Sequence, residues 1–230
     1  MYQTVSFNFQ EKFRKEENMI IVISCSGSKN GGNLVYKNNE ITFVSSPNEE
    51  SKNHFNPDNQ IPNENRTWRE YVNSQENNNL LESYKLYKNK IYSSLYEKYK
   101  SNLFILSAGW GIINSEFKIP KYDITFSKKA DKNSQRKKTD SYEDFNHLTK
   151  VNPNEKIVFF GGADYLKLFY NLTKDLPNEK IIFYNKKNIY SGLPFLKNES
   201  SFKLVKYETK TRTNWHYGCA NDFLEHKITL

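Results

Sequence analysis

Four short, unbroken apolar runs constrain this chain most: Met19–Ser24, Leu103–Ser107, Lys156–Phe160 and Lys180–Tyr184. A strand that is apolar at almost every position must be covered on both faces, since a half-exposed strand would alternate. A fifth run, Phe202–Tyr207, does alternate and reads as an edge strand. Helical patterns lie between them. Leu80, Tyr84, Tyr87, Ile91, Leu95 and Tyr99 step by threes and fours along one amphipathic stripe. Asp164–Lys174 repeats the pattern with Leu166, Phe169 and Tyr170, and Pro177 follows its end. Asn214–Ile228 forms the last, with Thr213 or Asn214 as the cap. Strands that alternate with helices pair in parallel through right-handed crossovers. The expected fold is therefore α/β, a mainly parallel, doubly wound sheet flanked by helices, with a hairpin and loop insertion.

The length of 230 residues fits one domain over 1–230, and with 37% hydrophobic but 15% aromatic residues the core has to be built largely from rings. Residues 1–18 read as an N-terminal extension, where Val5, Phe7 and Phe9 alternate as in a short edge strand. Residues 30–65 read as an insertion or lid. In it Leu34–Tyr36 and Ile41–Val44 flank a turn centred on Asn38-Asn39, and a long polar stretch rich in Asn, Ser and Pro follows.

A net charge of +8 and a pI near 9.2 favour a polyanionic partner, although AT-rich coding alone would also enrich Lys and Asn. The basic loop 127–139 concentrates that charge. Lys128, Lys129, Lys132, Arg136, Lys137 and Lys138 stand there against Asp131 alone, in a pattern suited to phosphate neutralisation. Cys25 and Cys219 make neither a disulfide framework nor zinc spacing, and no apolar stretch has signal-peptide or membrane-span length. A soluble, cytoplasmic chain is expected, without membrane contact, cofactor, metal or obligate protein partner.

Ligands of open parallel sheets bind beyond the carboxyl ends of the strands, and three of these ends carry unusual residues. The first runs into Ser24, Cys25, Ser26, Gly27, Ser28 and Lys29, a small-residue loop suited to a phosphate or sugar. The second ends in Ser107, Ala108, Gly109, Trp110 and Gly111, with Tyr122 and Asp123 shortly after. A carboxylate between flat ring faces suits base stacking and acid–base work, whereas an isolated Tyr-Asp pair is more often core and turn. The third ends in Gly161, Gly162, Ala163, Asp164 and Tyr165, an anion site or simply a helix start. In the last helix Trp215 and Tyr217 flank His216, so Trp215 and His216 are further candidates for nucleic-acid contact.

Taken in order, Ile23 to Lys29, then Leu106 to Ile113, then Pro120 to Asp123 resemble a bacterial family. Its members share a cysteine-serine-x-x-lysine loop, a leucine-serine-alanine-x-x-glycine segment and a tyrosine-aspartate. The chain is similar to the peroxide-stress YaaA-like DNA-binding proteins and to the base-exchanging domain of archaeosine tRNA transglycosylases. It also resembles the Brig-type glycosylases of phage defence, which excise modified, glucosylated cytosines. The resemblance implies N-glycosidic bond chemistry on double-stranded DNA with modified bases. In that reading a flipped base enters between Trp110 and Tyr122, and the Ser24–Lys29 loop grips phosphate or sugar. Asp123 stabilises the sugar cation or activates water, and Ser107 is a donor to the departing base. Three alternatives stay open: a non-catalytic DNA-binding protein, a base-exchanging ribosyltransferase, and a metal nuclease built on Glu116, Lys118 and Asp58.

Overall fold

A computed structural model describes residues 19–48, 51–77, 79–185, 194, 196, 199–211 and 213–230. The expected extension, 1–18, and its edge strand lie outside them. In chain order the first elements are β1 (Met19–Ser24), β2 (Leu34–Tyr36), β3 (Asn39–Phe43), β4 (His54–Phe55) and α1 (Trp68–Asn73). Then come β5 (Leu81–Glu82), α2 (Ser83–Leu86), α3 (Lys90–Tyr99), β6 (Leu103–Ser107), β7 (Gly111–Asn114) and β8 (Lys118–Ile119). The last are β9 (Phe145–Asn146), β10 (Lys156–Phe160), α4 (Leu166–Thr173), β11 (Lys180–Tyr184), β12 (Phe202–Lys206) and α5 (Trp215–Leu224).

Seven strands form one sheet in the order β12-β11-β10-β1-β6-β7-β9. The five from β12 to β6 are parallel, while β7 turns back antiparallel to β6 and carries β9 beside it. This is the α/β architecture that the apolar runs require. All four runs are central strands, and β1, flanked on both sides, is buried along its whole length. Neighbouring residues of a strand face opposite sides. Accordingly Phe159 stacks on Phe169 of α4 at 4.3 Å, while Phe160 meets Phe223 of α5 at 5.4 Å. The chain leaves β1 toward β6 and leaves β10 toward β11, in opposite directions. The crevice beyond their carboxyl ends is thus a topological switch point, the preferred ligand position in such sheets.

Two local expectations are corrected. The stripe from Leu80 to Tyr99 is not one helix: Leu81–Glu82 pairs with β8, and Tyr87 is extended, forming a bridge with Lys29. A new helix starts behind Asn89, whose side chain accepts from the Ile91 amide at 3.0 Å. Tertiary pairing with the Lys29 loop outcompetes helix continuation there. The hairpin turn sits one residue earlier than expected, on Lys37 and Asn38, both at positive φ as a two-residue type I′ turn demands. The described part of the 30–65 insertion carries a small sheet of its own. β4 pairs with β3, and Ile61 is buried.

Gly111 opens β7 at φ +83°, and an added Cβ would lie 2.4 Å from the Phe145 carbonyl oxygen. Gly111→Ala is expected to lower stability by about 1–3 kcal/mol. A urea midpoint equal to wild type would show that the turn relaxes freely.

Candidate active site

Buried hydroxyl groups meet at the switch point. Cys25 follows β1, its amide bonded to the Leu106 carbonyl at 2.9 Å and its Sγ 3.1 Å from the Tyr165 hydroxyl beyond β10. The Ser107 Oγ accepts the amides of Gly109 and Trp110 at 3.2 and 3.1 Å, so its single proton goes to the Tyr122 hydroxyl at 2.9 Å. The Tyr87 hydroxyl lies 3.0 Å from that of Tyr122. Alongside, the Tyr92 hydroxyl donates to the Ser24 carbonyl at 2.7 Å and meets the Tyr217 hydroxyl at 3.2 Å. Burial, then the nearby Cys25 thiol, pushes Tyr87, Tyr122 and Tyr165 well above the ordinary phenol range. These phenols are neutral donors and acceptors, not bases.

Above this floor lies the mouth. Ser26, Gly27 and Ser28 reach solvent, and the Ser28 amide donates to the Ser26 hydroxyl at 3.2 Å. The Lys29 ammonium rests 4.1 Å from the centroid of the Tyr122 ring. Burial holds Lys29 below the ordinary lysine value and Lys121 adds to this, whereas Cys25 and Asp123 oppose it. Asp123 is exposed, its amide bound to the Phe43 carbonyl at 2.7 Å and its Oδ2 accepting from the Ser134 hydroxyl at 2.5 Å. The Thr125 amide bonds the Ser134 carbonyl, and the Arg136 amide bonds that of Thr125, both at 2.9 Å. These bonds pin the basic loop beside the carboxylate, with Lys128, Lys129 and Lys132 exposed on it.

Several candidates lie elsewhere than expected. Trp110 is fully buried, stacked on Phe145 at 6.2 Å and edge-on to Tyr122 at 6.4 Å and 89°. No base can enter between Trp110 and Tyr122. The partly exposed rings nearest the mouth are those of Tyr165 and Tyr217, each packed on one side against the core. Ser107 is also fully buried, so it positions Tyr122 instead of touching a ligand. Gly109 lets its turn lie against Tyr122, and Gly161 accommodates the Phe159 ring, both as packing devices. Ser24 is wholly buried and offers nothing to a ligand except through its neighbours, whereas Gly162 is open.

Arg136, expected on phosphate, is buried. It grips Asp144 bidentately at 2.8 and 2.6 Å, donates to the Ala108 carbonyl at 2.8 Å and covers the Tyr142 ring. Arg69 is its counterpart. It pairs with Asp58 at 2.5 Å and donates to the Gly109 carbonyl at 3.2 Å. Two buried arginines thus hold successive carbonyls of the Ser107–Gly111 turn. Lys137 and Lys138 are exposed, but Lys138 pairs with Asp164 at 3.2 Å across a cleft of about 320 Å³. That cleft carries four basic and four acidic side chains, a balance that gives no net attraction for phosphate. The nuclease half-sites are occupied internally, Asp58 by Arg69 and Glu116 by the Tyr96 hydroxyl. Among the described residues no group of three or more His, Cys, Asp or Glu could hold a metal ion, and no helix is long and apolar enough to cross a membrane.

Trp215 and His216, expected on nucleic acid, are buried at the start of α5 and offer little surface to a ligand. Neither ring nitrogen of His216 has a partner among the described residues, and burial lowers its pKa to about 4. The unfolded imidazole takes up a proton near pH 6.5 while the folded one stays neutral. Stability is therefore full above pH 6.5 and is lost as pH falls toward 4, by about 3 kcal/mol in total. His216→Phe is expected to flatten that part of the pH–stability curve, measured by urea unfolding. An unchanged slope would contradict the assignment.

Sequence reasoning missed Tyr87, Tyr217, Ser134, Arg69 and Asp144. Only α1 carried a readable signal, since Thr67-x-x-Glu70 is a capping box that places Arg69 in a helical first turn. No family model matches the chain, and no match was found among curated proteins or solved structures.

Proposed function

We propose that this chain is a DNA glycosylase that releases a modified base, a glucosylated cytosine being the leading candidate, and leaves an abasic site in phage DNA. The reading rests on its motif resemblance and on one observation: an exposed carboxylate, Asp123, shares the mouth of the switch-point crevice with a lysine and a pinned basic loop. A flipped nucleotide would enter against Tyr165 and Tyr217. Ser26 and Ser28 would bind its phosphate or attached sugar, and Lys128, Lys129 and Lys132 the flanking backbone. Asp123 would stabilise the oxocarbenium-like sugar and orient the attacking water.

The test incubates the protein with glucosylated, hydroxymethylated and unmodified DNA, and follows released base by mass spectrometry and alkali-labile sites by gel. Base release from a modified DNA, without added metal, is expected. Steeply salt-dependent binding with no abasic product on any DNA would instead assign a non-catalytic DNA-binding role.

A further inference from the structure

The Lys29 ammonium is an anomaly in this site. A half-buried lysine ordinarily acquires a carboxylate, because an unpaired charge in a low-dielectric setting is costly. Here it has no ion pair and no hydrogen-bond acceptor among the described residues; it rests on the Tyr122 ring face at 4.1 Å, with Cys25 and Asp123 near enough to act on its charge but not to accept a hydrogen bond. Three N–H donors thus have no acceptor among the described residues at the mouth of the crevice. The backbone bridge between Lys29 and Tyr87 fixes the stem, and Tyr122 is fixed in turn by Ser107. Such a pre-placed cation suits an acceptor that arrives with the ligand.

We propose that Lys29 is the catalytic acid of the reaction, donating its proton to the base as it departs. This rests on the glycosylase reading above. The C1′–N bond breaks with its electron pair passing to the base, and an Nζ–H proton moves to a ring nitrogen or carbonyl oxygen of that base. Water bonds to C1′ and gives its proton to Asp123, and solvent restores both groups. The products are a free neutral base and an abasic hemiacetal. The phenols around the site are too weakly acidic to take this part, whereas a lysine with a lowered pKa is suited to it. The titratable groups facing it are Cys25 on its own loop, Tyr122, Asp123 and Lys121 on the next segment, and Tyr87 across the bridge.

The experiment measures single-turnover base release from the modified DNA for wild type, Lys29→Ala and Lys29→Arg, each checked for folding by circular dichroism. Lys29→Ala is expected to lose about 10²–10³-fold in rate with DNA affinity little changed. Added ethylamine should restore about 10-fold, and amines of lower pKa should rescue in proportion to their acid strength. Lys29→Arg keeps the charge and should lose the alkaline decline of the wild-type pH profile. A variant that weakens binding alone, shows no amine rescue, or retains the wild-type rate would overturn the role of Lys29. Absence of base release by wild-type protein would instead remove the glycosylase reading itself.

Discussion

Arg136→Ala is expected to destabilise the fold by about 3–5 kcal/mol, measured as a shift of the urea midpoint at constant slope. Both partners of the Arg136–Asp144 pair are almost completely buried, at 4% and 7% side-chain exposure. Removing the guanidinium leaves a carboxylate in a low-dielectric setting without its counter-charge. It also strips the Ala108 carbonyl of its donor and the Tyr142 ring of a cation 3.8 Å from its centroid. The double variant Arg136→Met with Asp144→Leu removes both charges and should recover most of the loss, since the cost lies in the orphaned partner. A single variant within about 1 kcal/mol of wild type would show that water reaches Asp144 and that the pair is not structural.

Asp123→Asn is expected to slow base release about 10³-fold, equivalent to about 4 kcal/mol of barrier, with DNA affinity and stability near wild type. Asparagine retains an oxygen that can accept the Ser134 hydroxyl, and the backbone bond of residue 123 to Phe43 does not involve the side chain. What disappears is the negative charge that faces the sugar cation. Asp123 itself stands exposed at the mouth, and its buried partner Ser134 keeps an acceptor in the variant. Full activity in this variant would remove Asp123 from the chemistry.

The ends of the strands were legible because a strand buried on both faces leaves its signature in every residue. Ser24, Cys25, Ser107 and Gly161 could be placed at carboxyl ends from the sequence alone, as could the neighbourhood of Asp123 and the basic loop. Exposure was not legible. Trp110 and Arg136 have the residue types of a stacking platform and a phosphate ligand, yet each packs inside: Phe145, Phe43 and Tyr122 surround the ring, and Asp144 and Ala108 accept from the guanidinium. A solvated arginine and a paired, buried one look identical in a sequence, because the difference lies in where Asp144 sits.

The apolar runs and the helical spacing between them, by themselves, determined a mainly parallel sheet covered on both faces, since continuous apolar strands have no other way to leave water. Only the tertiary structure decided the site. It broke the long amphipathic stripe at Tyr87 to pair that residue with Lys29, and it joined Cys25 to Tyr165 across 140 residues. Hydrogen bonds at that separation form only when whole strands have found their neighbours. Local preferences fix the elements, and the order of strands in the sheet fixes which side chains meet.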